Sequence, residues 1–197
     1  MSGIAGWVAF DDDLSKRHNE IEQMTETMVR RGPDGGGTWV SRHAALGQRR
    51  RSVIDVPGDQ QPMELKTPAG SVVIVYSGRI FNLRELRGEL ESRGCSFRTD
   101  SEAEVVLRAY LEWDEDMTDR LNGTYAFALW DERKTKLVLI RDRIGIKPLY
   151  YHPTSGGVLF GSEPKAILRN ALFKRVVDTS CLRELVGFTK APGWSLW

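Results

Sequence analysis

The sequence predicts an α+β domain with a largely antiparallel sheet. This prediction rests on the order in which three kinds of segment follow one another along the chain. Short apolar runs typical of strands come first, two amphipathic helical segments follow, and two hairpin patterns come last. The chain has 197 residues, 41% of them hydrophobic. It is therefore long enough for one well-buried domain and too short for two of ordinary size.

The first part of the chain supplies a helix and short strands. Ile21, Met24 and Met28 recur at helical spacing, and we expect their helix to lie between Ser15 and Arg30 and to end before Gly32-Pro33. The three glycines that follow predict a loop at 35–37. Short apolar runs after that loop are predicted as strands: 38–40, 44–46 and 53–54.

Two further helices are predicted from capping patterns. Asn82 with Glu85, and Ser101 with Glu104, each have the spacing of an N-terminal capping box. Apolar residues at helical spacing follow each pair, and Gly94 is expected to end the first of the two helices.

The last third of the chain predicts two hairpins. Apolar runs at 125–130 and 136–140 flank a polar turn, and runs at 148–151 and 158–160 flank a turn that contains two glycines. Alternation of this kind is typical of antiparallel strands.

Composition limits the classes of partner. The formal net charge is +1, so neither nucleic acid nor a membrane surface is indicated as a partner, and no apolar run approaches the roughly 20 residues of a spanning helix. With no recognisable leader, the expected location is cytoplasmic. Cys95 and Cys181 lie far apart and accompany no histidine cluster, so we predict neither a disulfide nor a metal site.

Ser2 is the candidate nucleophile. Initiator Met is readily removed before so small a residue, which would put a hydroxyl and a free α-amine on Ser2. An amine with a pKa near neutrality can act as general base for the adjacent side chain. The alternative is that Ser2 is simply a processed N-terminus without chemistry.

Ordered motifs extend over nearly the whole chain; they include Ser2-Gly-Ile-Ala-Gly-Trp7, Arg31-Gly-Pro-Asp34, Tyr76-Ser-Gly78, Arg141-Asp-Arg143 and Gly161-Ser-Glu163. Their order and spacing resemble those of one family, the class II glutamine amidotransferases of the asparagine synthetase branch. The resemblance implies a four-layer α/β/β/α N-terminal nucleophile hydrolase sandwich of two antiparallel sheets. Its N-terminal strand would bring Ser2 to the edge of a cleft.

The resemblance also implies a reaction. The family hydrolyses the side-chain amide of glutamine through a thioester on an N-terminal cysteine and releases ammonia to a second domain. Here Ser2 stands at that position. A hydroxyl is a weaker nucleophile than a thiolate, so the expected glutaminase is impaired or inactive, whether the serine is engineered or natural.

Further site residues follow from the resemblance. Arg50 matches the residue that holds the substrate α-carboxylate, a task that suits a guanidinium fork, and Val53 belongs to the same substrate-binding set. Ser77 and Gly78 match the oxyanion site and are expected in a turn, where the Gly78 N–H and the Ser77 hydroxyl would donate hydrogen bonds.

Three positions depart from the family pattern. Arg79 replaces the usual glutamate, Glu102 replaces the aspartate that pairs with the substrate α-ammonium, and Gln48 replaces a histidine. The glutamine-binding hypothesis fails if the cleft is closed, or if Arg79 points into it and pairs with Glu102. It survives if Arg50 and Glu102 face an open pocket beside Ser2.

The resemblance predicts two segments, an amidotransferase domain over 1–175 and a truncated linker over 176–197 that leads toward an absent ATP-dependent synthetase domain. We expect no cofactor in this chain, because ATP and magnesium would belong to that domain. Glutamine and the synthetase domain are the expected partners, and a homodimer remains open. The alternatives are a non-catalytic module with a structural or regulatory role for a synthetase partner, and a serine-type amide hydrolase for another substrate selected by Arg79.

Overall fold

A computed structural model describes residues 1–52 and 58–182. Nine strands and four α-helices are formed within these residues, with short 3-10 turns at Leu14–Lys16 and Asp114–Asp119. The strands are β1 Gly3–Ala9, β2 Gly35–Val40, β3 Ala44–Arg50, β4 Met63–Thr67, β5 Gly70–Ile80, β6 Gly123–Asp131, β7 Lys136–Arg141, β8 Tyr150–Thr154 and β9 Gly157–Gly161. The helices are α1 His18–Glu26, α2 Leu83–Ser92, α3 Glu102–Trp113 and α4 Pro164–Leu168.

The strands form two antiparallel sheets. One has five strands in the order β2-β3-β1-β9-β8, and the other has four in the order β4-β5-β6-β7. A buried apolar cluster lies between them and draws on both sheets; its members include Ile4, Leu46, Val75, Trp130 and Phe160. The two sheets therefore pack face to face.

Helices cover the outer face of each sheet. Ile21 and Met24 of α1 and Ile167 of α4 pack against Trp7 of the five-stranded sheet. Leu86 of α2 and several residues of α3 pack with Ile74 and Phe127 of the four-stranded sheet. The order of layers is therefore helix, sheet, sheet, helix, which confirms the four-layer α+β sandwich.

Strand β1 lies in the middle of its sheet, between β3 and β9, and all seven of its residues are buried. Ile4 and Val8 contact the cluster between the sheets, whereas Ala5, Trp7 and Ala9 contact the helices. Because successive side chains of a strand point to opposite faces, an apolar run without polar interruptions is what this central position requires. Ser2 lies directly before this strand.

Several predicted elements are confirmed, with small changes at their ends. Helix α1 lies within the predicted range, both hairpins form as β6-β7 and β8-β9, and Gly94 follows α2 with a φ of 87°. The predicted strand at 53–54 and site residue Val53 lie outside the described residues.

The loop predicted at 35–37 is wrong, because these glycines begin β2. A Cβ on Gly37 would lie 2.5 Å from the carbonyl oxygen of Gln61, and one on Gly36 would lie 2.8 Å from that of Gln48. The glycines therefore mark a close approach of backbones within a strand rather than a chain reversal.

The capping boxes are only partly correct. Ser101 caps α3 by accepting a hydrogen bond from the Ala103 N–H, but Glu104 accepts from the N–H groups of Arg98 and Thr99 instead of that of Ser101. The Asn82 side chain makes no capping bond to α2 and bonds to the backbone of Arg120 and Asn122. Tertiary contacts of these side chains have replaced the local ones.

The turn predicted at Tyr76-Ser77-Gly78 is also wrong, since all three residues lie inside β5, a strand of 11 residues that pairs with β4 and β6. A Cβ on Gly78 would lie 2.5 Å from the carbonyl oxygen of Thr124 on β6. Glycine thus permits close pairing here.

Within residues 1–52 and 58–182 no helix has the length and apolar character to cross a membrane. The same residues contain no group of three or more His, Cys, Asp or Glu side chains that could hold a metal ion.

Candidate active site

A cleft of about 650 Å³ opens at the end of β1, where Ser2 lies. Its lining comes from both sheets and from the start of α3: Ser2, Gln48, Arg50, Arg51, Ser52, Asp59, Gln61, Tyr76, Gly78, Arg79, Leu83, Asp100, Ser101 and Glu102. A larger cavity, about 790 Å³, lies beside Trp113, but there Lys134 pairs with Asp114 and Arg133 with Asp131. We assign the site to the first cleft because it holds a candidate nucleophile.

Two side chains hold the backbone of Ser2. Arg31 Nε donates to the Ser2 carbonyl oxygen at 2.8 Å, and Ser77 Oγ donates to the same oxygen at 2.9 Å. The Ser2 hydroxyl accepts from the Arg51 N–H at 3.3 Å. The side chain of residue 2 is thereby turned toward the cleft, while its carbonyl is anchored between the two sheets.

Strand alternation explains why Ser77 faces Ser2. Val73 and Val75 of β5 lie in the cluster between the sheets, and Ser77 continues that face two residues on. Tyr76 points the other way, toward α2 and α3, with Ile74.

The N-terminal amine lies among cations. The Met1 amine donates to the Arg31 carbonyl oxygen at 3.2 Å. Partial burial, followed by the positive charges of Arg51, Arg31 and Lys147, lowers the pKa of this amine from its usual value of 8.0. An amine in these surroundings is more readily available in its neutral, basic form.

Glu102, the first residue of α3, presents one carboxylate oxygen to hydrogen-bond donors. Tyr76 Oη donates to Glu102 Oε2 at 2.8 Å, and the Ile80 N–H donates to the same oxygen at 3.1 Å. Burial raises the pKa of Glu102, although these two hydrogen bonds act to lower it. Burial, and then the Glu102 charge, raises the pKa of Tyr76 well above 10.0.

The other oxygen of Glu102 faces Arg79. Arg79 Nε lies 3.3 Å from Glu102 Oε1, and the two side chains differ greatly in exposure, 63% for Arg79 and 15% for Glu102. Oε1 is inaccessible to solvent and accepts no hydrogen bond from the described residues. The contact is therefore an ion pair without a well-aligned hydrogen bond.

Two glutamine side chains fix the backbone of Tyr76. Gln48 Nε2 donates to the Tyr76 carbonyl oxygen at 2.9 Å, and the Tyr76 N–H donates to Gln61 Oε1 at 2.6 Å. Because Gln48 lies on β3 and Tyr76 on β5, the first bond joins the two sheets at the cleft.

Five of the seven site residues predicted from the sequence line one cleft: Ser2, Arg50, Gly78, Arg79 and Glu102. Ser77 lies behind Ser2, with its hydroxyl bonded to the Ser2 carbonyl. Val53 lies outside the described residues. The individual roles of these residues stay predictions.

No role was predicted from the sequence for Arg31 or for the Tyr76 hydroxyl. Both lie in motifs that carry the family resemblance, but the direction of a side chain follows from strand pairing and helix packing, which the motifs do not state.

A candidate nucleophile at residue 2, directly before a central strand and at the edge of a cleft between two antiparallel sheets, defines the class of N-terminal nucleophile amidotransferases. Residues 1–194 match the family described as the glutamine amidotransferase domain. The chain belongs to this family, within its asparagine synthetase branch.

Relatives agree with this assignment. Over its full length the chain is 40% identical to "Asparagine synthetase [glutamine-hydrolyzing] 3" of Bacillus subtilis (strain 168), of which it spans 32%. With 85% of its length it is 34% identical to "Asparagine synthetase B [glutamine-hydrolyzing]" of Escherichia coli (strain K12), of which it spans 30%. The chain thus spans about a third of the length of these relatives.

A solved structure supports the fold alone. Glutamine phosphoribosylpyrophosphate amidotransferase from B. subtilis, complexed with ADP and GMP, superposes with a TM-score of 0.70 at 18% identity. The match covers 85% of this chain and 43% of that one.

Proposed function

We propose that this domain binds glutamine and hydrolyses its side-chain amide to glutamate and ammonia, with a rate that Ser2 limits. The observation that carries the proposal is that Ser2, Arg50 and Glu102 line one open cleft. A guanidinium and a carboxylate on one cleft can hold the α-carboxylate and the α-ammonium of a free amino acid. The side-chain amide would then extend toward Ser2.

In this proposal Ser2 Oγ attacks the amide carbon, and the α-amine freed by removal of Met1 takes the hydroxyl proton. The cations Arg31, Arg51 and Lys147, which lower the pKa of the Met1 amine, would remain near a Ser2 amine and favour its neutral form. The same ammonium then gives its proton to the departing ammonia, and water hydrolyses the ester on Ser2.

We assign the two predicted oxyanion residues different tasks. The Ser77 hydroxyl already donates to the Ser2 carbonyl, so Ser77 is a positioning residue for the nucleophile. The Gly78 N–H is the candidate donor to the negatively charged oxygen of the tetrahedral intermediate.

The competing proposal is a non-catalytic module that supports or regulates a synthetase partner. The specific observation in its favour is the Arg79–Glu102 ion pair, which sets a cation against the carboxylate that glutamine needs. Against it stands the open cleft, with Arg79 mostly exposed at its rim. A serine-type hydrolase for another substrate is the third alternative.

The remaining parts of the proposal concern the whole protein. The two relatives, each about three times as long, are named as glutamine-hydrolysing asparagine synthetases. We infer that residues 1–175 form the amidotransferase domain, that 176–197 lead toward a synthetase domain, and that ATP and magnesium act there. We also propose a cytoplasmic location.

The test is glutamate release from glutamine by the purified protein and by its Ser2→Cys variant, with mass spectrometry to establish whether Met1 is removed. We expect Ser2→Cys to raise the rate at least about 100-fold, because a thiolate needs less help from a base. Ser92→Cys, an exposed serine at the end of α2, is the matched control. Failure of Ser2→Cys to bind or hydrolyse glutamine, with Met1 removed, would favour the non-catalytic module.

A further inference from the structure

The amine-binding end of the cleft holds an unusual pair of groups. Glu102 is mostly buried, and its Oε2 atom is satisfied by Tyr76 and the Ile80 N–H. Its Oε1 atom is inaccessible to solvent and receives no hydrogen bond within the described residues. A buried carboxylate oxygen without a donor is unfavourable, so this atom is a site that a donor would fill.

Arg79 only partly satisfies the Oε1 atom of Glu102. Its Nε atom lies 3.3 Å from Oε1, near enough for charge attraction but without hydrogen-bond alignment. Because 63% of the Arg79 side chain is exposed, solvent screens its charge and the side chain can leave without opening the fold. Glu102 cannot move in the same way, since Tyr76 and the β5 backbone hold it.

We propose that Arg79 is a specificity-determining residue that guards the amine subsite: its guanidinium pairs with Glu102 in the empty cleft, and a substrate enters only by displacing it with its own ammonium group. The inference rests on the proposed glutamine site. A primary ammonium carries three N–H donors in a compact group, so it can give Oε1 the aligned hydrogen bond that Arg79 does not.

Two consequences distinguish this role from a merely structural one. Removal of the guanidinium tightens the binding of any ligand that carries an α-ammonium, because displacement no longer opposes binding. A ligand without that group gains nothing, because it does not compete for Glu102. An exposed ion pair of this kind corresponds to about a two- to fivefold difference in affinity.

The experiment is calorimetric titration of the full chain, its Arg79→Gln variant and an Arg42→Gln control with L-glutamine and with 4-carbamoylbutanoate, which is glutamine without the α-amine. Arg42 is an exposed arginine in the turn between β2 and β3, and it is not among the described residues that line the cleft. Thermal unfolding of each variant establishes that it is folded.

The expected result is a two- to fivefold lower Kd for glutamine in Arg79→Gln only, with the Kd of the analogue unchanged. Binding of glutamine by Arg79→Gln but not by the parent protein would support this role of Arg79 more strongly. Unchanged or weaker glutamine binding in folded Arg79→Gln would overturn it and leave the glutamine site standing. Loss of glutamine binding from every protein, Ser2→Cys included, would overturn both.

Discussion

The two ends of the cleft are held in different ways. At the nucleophile end, the Ser2 carbonyl is bonded by Ser77, which is buried, and by Arg31, whose side chain is only 10% exposed. At the proposed amine end, a mostly exposed Arg79 pairs with a mostly buried Glu102. The first end is fixed and the second is adjustable. In the proposed function the fixed end carries the chemistry and the adjustable end recognises the substrate, so mutations at the two ends should affect different measurements.

The largest expected effect comes from a substitution in β1, the strand that follows Ser2 at the fixed end. A Cβ on Gly6 of β1 would lie 2.1 Å from the ring of Phe160, between the sheets. We therefore expect Gly6→Ala to lower the free energy of unfolding by about 3 kcal/mol. Urea unfolding would measure it.

The matched control for that substitution is Gly88→Ala on α2. Gly88 is exposed, and a Cβ there would meet no atom of the described residues within 4 Å. Helix propensity predicts that this change raises the free energy of unfolding, by up to about 1 kcal/mol. An equal loss of unfolding free energy in Gly6→Ala and Gly88→Ala would contradict the tight packing around β1.

Arg31→Ala removes the longer anchor of the fixed end. It deletes a charge-assisted hydrogen bond to the Ser2 carbonyl and the pairing with Glu163, 3.6 Å away. We expect a loss of about 2 kcal/mol in the free energy of unfolding. Arg30→Ala, at an exposed neighbour, should change the free energy of unfolding little. A similar loss in both variants would show that the Arg31 contacts contribute nothing specific to stability.

Ser77→Ala tests positioning against stability. It removes one hydrogen bond and should cost about 1 kcal/mol in the free energy of unfolding. In a Ser2→Cys background we expect kcat for glutamine hydrolysis to fall while the glutamine Kd stays nearly constant. Ser71→Ala, on the same strand but bonded to Glu64, should affect stability alone. A fall in kcat for both variants would contradict a positioning role.

The smallest effect concerns the adjustable end and its dependence on pH. The raised pKa of Glu102 predicts that glutamine affinity is lost on acidification at a pH above 4.5, since a protonated carboxyl does not attract an ammonium. The Tyr76 hydroxyl and Arg79 lower this pKa, whereas Asp59 raises it. Tyr76→Phe should therefore move the loss of affinity to higher pH.

Glutamine affinity measured between pH 4 and 8 would test this shift. Tyr110→Phe is the control, because the Tyr110 hydroxyl donates to Asp131, which is not among the described residues that line the cleft. A shift to lower pH in Tyr76→Phe, or the same shift in the control, would contradict the assignment of Glu102 to the amine.

Sequence patterns predicted the fold where local rules decide. The alternation of β6 and β7, the Ser101 cap and the Gly94 stop depend on residues near one another in the chain, and the structure confirms them. The patterns were wrong at Gly37 and Gly78, where glycine is needed for the approach of a distant strand or loop. Local propensity contains no information on such an approach.

The candidate site, like the fold, was predicted only in part from the sequence. Motif resemblance found five of the fourteen described residues that line the cleft, because it indicates which positions share a site. It did not reveal that Arg31 and Ser77 hold one carbonyl or that Tyr76 bonds to Glu102. Those contacts depend on side-chain direction, which is set by pairing between segments far apart in sequence.

The central position of β1 also determines when the site can form during synthesis. Strand β1 is synthesised well before one of its two neighbours, β9, which ends at residue 161, and before Ser162, to which the Ile4 N–H donates. Until those residues emerge, one edge of β1 has no strand to pair with. An incomplete nascent chain therefore carries residue 2 without a finished cleft, and the proposed hydrolysis would have to wait for the whole sheet.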